Sequence, residues 1–401
     1  MRKQEWVWSE RYAPQPEILR YANHVADRFE LRRDIQFDTP VHSAIFDAAE
    51  NRWVLEVGDG ERMMGTHCIM ATGCLSSANM PKFAGINSFQ GETYHTGHWP
   101  HEGADFSGKR IGIIGTGSSA IQSIPIIARQ AAHLYVFQRT PNYTIPAHNV
   151  PLDPAYQAAV KADYAGIRAR AKQTFPGLDF KFNTESALAS SEEERQREFE
   201  ARWAYGGIPF MGAFGDLLYD QAANDLAAEF VRGKIREIVH DPEVAEMLSP
   251  RNVIGCKRLC VDTGYWATYN RPNVTLIDVS GEPIHAITPA GIRAKGQEYA
   301  VDAIVFATGF DGLCQLSRLL IDDVSAILPR AQAVSRMPSA IAALRMCCQR
   351  RVAAGTRWRM RDLQRRKFRS SFKLIGVGAS SPAVSGRSLR RSCSSIFRRR
   401  Y

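Results

Sequence analysis

A short apolar run, Arg110–Ile114, leads directly into Gly115-Thr116-Gly117-Ser118-Ser119-Ala120. A helical pattern over roughly 117–130 follows, with Ala120, Ile121, Ile124, Ile127 and Ala128 apolar, and a second apolar run spans His133–Phe137. Few local patterns restrict a chain more. Strand, glycine turn, helix and strand make a β-α-β start, which closes right-handed onto a parallel sheet and commits this stretch to an α/β fold. Glycines at 115 and 117 permit a tight turn and close approach of backbone to a pyrophosphate. Ala120 is small enough for the helix to lie on the strand, and the helix N-terminus offers its N–H groups to phosphate. The pattern predicts a dinucleotide site built from Gly115, Thr116, Gly117, Ser118, Ser119 and Ala120. The alternative is a plain strand–turn–helix corner.

The end of the second strand selects among dinucleotides. NAD binders usually place an acid there for the ribose 2′-hydroxyl. This chain has Gln138-Arg139-Thr140. Arg139 offers a planar fork for a 2′-phosphate and Thr140 a hydroxyl donor. A charged hydrogen bond of about 1.5–3 kcal/mol corresponds to roughly 10–150-fold preference. The expected nucleotide is NADPH; the alternative for Arg139 is a solvated surface cation.

The net charge of +10 over 401 residues hides a break. Beyond Asp311 stand 18 Arg and 2 Lys against 3 Asp and no Glu, a net of +17, which leaves −7 for the first 311 residues. Cys314, Cys347, Cys348 and Cys393, half of the eight cysteines, fall in the basic part. Residues 312–401 therefore read as a disordered basic tail or as translation in a shifted frame. A nucleic-acid arm is the weaker reading, because Trp358, Phe368 and Phe372 are not interleaved as a stacking platform requires. No apolar run approaches 18 residues, and Met1-Arg2-Lys3-Gln4-Glu5-Trp6 has no apolar signal stretch. Eight cysteines without such a signal do not suggest a disulfide framework, and one C-x-x-x-C, Cys256 to Cys260, does not argue for zinc. The expectation is a cytoplasmic protein with no membrane, specific nucleic-acid, metal or protein partner.

Upstream, Ile18, Tyr21, Val25 and Phe29 share a helical face over 17–29. Strand candidates follow at Val41–Phe46, Trp53–Val57 and His67–Met70, then Ala71-Thr72-Gly73. Residues 151–250 read as mostly helical, with Ser191-Glu192-Glu193-Glu194 as a capping box. Strands resume at Val274–Val279 and Ala300–Phe306, the latter running into Ala307-Thr308-Gly309.

Phe89-Gln90-Gly91-Glu92-Thr93-Tyr94-His95-Thr96-Gly97-His98-Trp99-Pro100 has the spacing F-x-G-x-x-x-H-x-x-x-W-P. With Trp8-Ser9-Glu10-Arg11-Tyr12, Phe137-Gln138-Arg139-Thr140-Pro141-Asn142 and Asn270-Arg271-Pro272-Asn273-Val274, it makes residues 6–310 resemble the flavin-dependent Baeyer–Villiger monooxygenases, most like the phenylacetone and steroid monooxygenase group. The resemblance implies a Rossmann-like NADPH domain with a helical insertion, plus part of an FAD domain. The implied divisions are 1–100 for the FAD-domain remnant and linker, 101–150 for the first NADPH part, 151–250 for the insertion and 251–311 for the NADPH return and second linker.

The same resemblance implies that NADPH, FAD and O₂ convert a ketone to an ester or lactone. Within Gly255-Cys256-Lys257-Arg258 it gives Arg258 the main catalytic part, stabilising anionic oxygen on the flavin and then the oxyanion of the ketone adduct. Lys257 is given the NADPH 2′-phosphate, and His95 is the second catalytic candidate. N- or S-oxygenation is the alternative chemistry. No FAD-type G-x-G-x-x-G precedes residue 115, so the chain is expected to be an N-terminally truncated member that takes up no FAD and at most binds NADPH.

Overall fold

The structure is a computed structural model that describes residues 5–310 apart from 72, 74, 76 and 175. The expected basic tail and Thr72 of Ala71-Thr72-Gly73 lie outside the described residues. The chain divides into two units, Arg20–Gly73 forming the smaller and the described residues before and after it the larger. Helix α1 (Gln15–Arg28) begins in the larger unit and runs into the smaller. Its one buried residue is Glu17, whose carboxylate accepts from the Ser9 amide and hydroxyl. Ile18, Tyr21 and Phe29, the expected apolar face, are exposed.

The smaller unit carries an antiparallel meander, β1 (Val41–Asp47), β2 (Arg52–Val57) and β3 (Glu61–Gly65), in that order. The first two match expectation. The third corrects it: the strand lies at Glu61–Gly65, and His67–Met70 is not a strand. Asp59-Gly60 makes the connection tight, with Val57 paired to Glu61, so the return strand starts at once.

In the larger unit a parallel sheet runs β4 (Glu92–His95), β13 (Ala303–Phe306), β5 (Arg110–Ile114), β6 (His133–Gln138), β9 (Val274–Asp278). Helix α2 (Ser118–Gln130) connects β5 to β6 as the glycine pattern demands. On one face Ile111, Ile113, Leu134 and Val305 pack with Ile121 and Ile124 of α2; on the other Ile114, Phe137, Ile304 and Phe306 pack against a small meander. That meander is β10 (Ala286–Thr288), β11 (Gly291–Ala294) and β12 (Gln297–Ala300). Gly112 admits it: a Cβ there would stand 2.6 Å from Ile292 Cδ1.

Between β6 and β9 lie β7 (Thr144–Pro146), α3 (Pro154–Ala162), α4 (Tyr164–Ala171), α5 (Glu192–Tyr205), α6 (Gln221–Ile238), α7 (Pro242–Leu248) and β8 (Cys260–Asp262). The capping box forms, with Ser191 and Glu194 bonding each other's backbone amides. Phe199, Phe210, Ala227 and Val231 belong to the same core as Ile111 and Ile113. The helical stretch is thus continuous with the sheet's own core, and it can hold site residues in fixed register with the strands.

Candidate functional site

The two glycines of the turn are required for different reasons. Gly115 has φ +111°, and a Cβ there would lie 2.6 Å from the Ala307 carbonyl oxygen. The fold itself demands glycine, because β13 crosses directly beside the turn. Gly117 is extended, with φ −82°, and a Cβ would meet nothing within 4 Å. No protein neighbour explains its small size, and no side chain caps α2. The first N–H groups of α2 therefore have no side-chain cap, the condition under which a helix start suits an anion.

Thr116 is buried, and its hydroxyl donates to the Thr140 carbonyl at 2.9 Å. It joins the turn to the end of β6, so its side chain acts on the protein. Ser118 and Ser119 are half-buried at the helix start, and Ala120 has no exposed surface. Arg139 and Thr140 follow β6 and are exposed; Arg139 forms no ion pair among the described residues. The preceding Gln138 is buried and donates to the Met247 carbonyl at 2.7 Å, tying the strand end to α7.

Lys257 and Arg258 are exposed on the loop that enters β8. Strand β8 pairs in parallel with β7, Cys260 opposite Thr144. Burial pushes the Cys260 thiol up against the opposing pull of the Ser118 hydroxyl and the Arg258 cation. Cys260, at the start of β8, thus lies within reach of both the Ser118 hydroxyl at the start of α2 and the Arg258 cation. Asp262 fixes the far end of β8: it accepts from the Thr144 hydroxyl and from the Gly264 and Tyr265 amides at 2.9 and 3.0 Å.

His95 has a different environment from that of an acid–base catalyst. It is buried at the end of β4. The Gly97 amide donates to Nδ1 at 2.9 Å, and Nε2 contacts the Thr308 hydroxyl at 3.2 Å. That hydroxyl donates onward to the Asn79 carbonyl at 2.6 Å, so Nε2 carries the ring proton. Both nitrogens are engaged, and burial lowers the imidazole's proton affinity. The remainder of the motif is also explained by packing. A Cβ on Gly91 would meet the Asp302 carbonyl at 2.3 Å, and one on Gly97 would meet the Phe310 ring at 2.7 Å. Trp99 packs with Tyr94 and Phe106, ring centroids 5.7 and 6.0 Å away.

An open cleft of about 720 Å³ lies elsewhere, lined by Asp225, Glu229, Arg232, Arg236, Glu246 and Arg251. Its arginines pair with its own carboxylates, and none of the expected site residues line it. Among the described residues no cluster of side chains suits a metal ion, and no helix is long and apolar enough to cross a membrane.

Residues 9–150 match the sequence profile of the flavin-binding monooxygenase-like family. A Baeyer–Villiger monooxygenase of Pseudooceanicola batsensis is 46% identical over 309 residues, covering 76% of this chain and 56% of that protein. The chain belongs to the flavin-dependent Baeyer–Villiger monooxygenase family. A steroid monooxygenase structure with bound NADP superposes on this member of the family with a TM-score of 0.76 at 51% identity, over 79% of this chain and 61% of that one. A phenazine N-monooxygenase of Lysobacter antibioticus is 40% identical over 311 residues, 76% of this chain and 57% of its own length. The chain thus spans little more than half the length of the curated Baeyer–Villiger relatives it matches.

Sequence reading missed Gln138, Thr308 and Asn224, the last described below. All three are polar residues without a charge pattern; only the repeated Ala-Thr-Gly hinted at Thr308.

Proposed function

We propose that this chain supplies the NADPH site and the active-site arginine of an oxygenase that converts a ketone to an ester or lactone. The observation that carries the reading is the uncapped start of α2, with open space at Gly117 and an exposed Arg139, without an ion pair among the described residues, at the neighbouring strand end. This arrangement fits NADPH. The amides at the start of α2 would bind the pyrophosphate. Arg139, Thr140 and Lys257 would hold the 2′-phosphate, for which a guanidinium fork is suited. The backbone at Gly117 would allow the close approach.

FAD, when bound, would carry electrons from NADPH to O₂. Among the described residues there is no second glycine turn of this kind, so no FAD pyrophosphate contact is assigned to this chain. Arg258 would present a fixed positive charge to the oxyanion of the ketone adduct, where one such stabiliser contributes on the order of a hundredfold. His95 would serve as a positioning residue, locking the exit of β4 to the exit of β13.

The test is titration of NADP⁺ and NAD⁺ against the chain and its Arg139→Ala variant. A preference for NADP⁺ of roughly 10–150-fold, lost in the variant, is expected. Equal affinity in the unmutated chain would overturn the assignment. The Lysobacter relative supports a second reading, oxygenation of a heteroatom. Where this chain acts together with FAD, product analysis with a ketone and a thioether separates the two: ester supports the first, sulfoxide alone the second.

A further inference from the structure

The loop that carries Lys257 and Arg258 has no strand partner before β8, yet one residue inside it is held as firmly as a sheet residue. Ile254 is fully buried, and its amide donates to Asn224 Oδ1 at 3.0 Å while its carbonyl accepts from Asn224 Nδ2 at 2.9 Å. The Asn224 side chain thus imitates a neighbouring strand. Its second N–H donates to the Leu217 carbonyl at 2.8 Å. Asn224 sits in the first turn of α6 with 2% of its surface exposed, and Asp220 caps that turn by accepting from Ala222 and Ala223. The anchor is therefore rigid on its own side.

The loop's entrance is fastened as well. The Pro250 carbonyl accepts from the Tyr143 hydroxyl at 3.0 Å and from Arg232 at 3.2 Å. Between these ties and β8 the chain has only Gly255 and Cys256 before the two cations.

We infer that Asn224 is the positioning residue for Lys257 and Arg258, setting where the loop presents the two cations as it enters β8. The inference rests on the reading of Lys257 as a 2′-phosphate ligand. Only an amide serves. A carboxylate of the same shape has no donors, and at position 224 it would turn lone pairs toward the Leu217 and Ile254 carbonyls; a buried acceptor facing acceptors is destabilising. Asn224→Asp should therefore free the loop with little change in volume.

The experiment titrates NADP⁺ and NAD⁺ into the full chain and into Asn224→Asp, Lys257→Ala and the double variant, each checked for a cooperative melt. The expected result is an NADP⁺ dissociation constant raised tenfold or more in Asn224→Asp, with NAD⁺ unchanged. The double variant should bind NADP⁺ no more weakly than Lys257→Ala alone, because the two changes remove one interaction. Equal weakening toward both nucleotides, or additive losses in the double variant, would show a merely structural asparagine and overturn the inference. Should Lys257→Ala itself leave NADP⁺ binding intact, the assignment of Lys257 fails and the inference with it; an intact Lys257 effect with a silent Asn224→Asp defeats the inference alone. If Asn224→Asp does not fold, Asn224→Ser, which keeps one donor, is held to the same outcomes.

Discussion

The parallel sheet and the antiparallel meander β1–β3 both carry large apolar strand residues, and they end in opposite states. In the five-stranded sheet Ile111, Ile113 and Val305 have no exposed surface, and helices or a second meander cover both faces. In β1–β3 only Leu55 and Val57 are buried, while Ile45 is 65% and Met64 55% exposed. An apolar strand residue is therefore not buried by its own sheet alone. What decides it is whether a second layer arrives, which in the larger unit is α2 and the helices that follow it.

The sharpest way to break this comparison is to remove the same side chain from each region. Ile113→Ala should destabilise the larger unit by about 2–5 kcal/mol, since it opens a cavity in a closed core. Ile45→Ala should stay within about 0.5 kcal/mol. Denaturant melts followed by circular dichroism check both; similar losses would mean the two sheets are equally closed.

The same contrast recurs at single-residue scale in the glycine turn. Gly115→Ala should cost about 1–3 kcal/mol, because the backbone is left-handed and the Ala307 carbonyl blocks the Cβ. Gly117→Ala should melt like the parent and yet bind NADP⁺ at least tenfold more weakly. A destabilised Gly117→Ala with unaltered binding would remove the argument that its space is kept for a ligand.

The smallest effect expected is in pH dependence. His95 has its proton affinity lowered in the folded protein, so at mildly acid pH the unfolded chain binds more protons. The stability it contributes is present above its ordinary value near 6.5 and is lost as pH falls through the lower folded value. His95→Gln should flatten that part of the stability curve between pH 7 and 5, read as melting temperature against pH. An unchanged slope would mean that His95 is not buried in solution.

The turn, α2 and both flanking strands were legible from the sequence because glycine placement and apolar period act locally. Strand β3 begins earlier than the His67–Met70 pattern suggests, because the tight turn at Gly58-Asp59-Gly60 pairs Val57 with Glu61 at once. The exposed α1 face shows the limit of periodicity, which marks a face fit for burial without saying what buries it. Arg139, Thr140, Lys257 and Arg258 are proposed from charge and resemblance. The hydrogen bonds of Gln138, Thr116 and Asn224 join neutral groups at positions far apart in sequence, and no one-dimensional pattern records those. His95 was readable as important, but its lack of a free nitrogen depends on Gly97 and Thr308, the latter 213 positions away.

The place of β13 also governs how such a chain can be made. Its four residues sit in the middle of the sheet, between β4 and β5, and Arg110 meets Asp302 across 192 positions. At roughly 5–20 residues per second on the ribosome, β5 waits on the order of ten seconds or more for the neighbour that completes it. Throughout that interval β4 has no partner and β5 shows a bare edge, an invitation to pair with another chain. The strands that most need a chaperone are thus β4 and β5, until the one that finishes the sheet has been made.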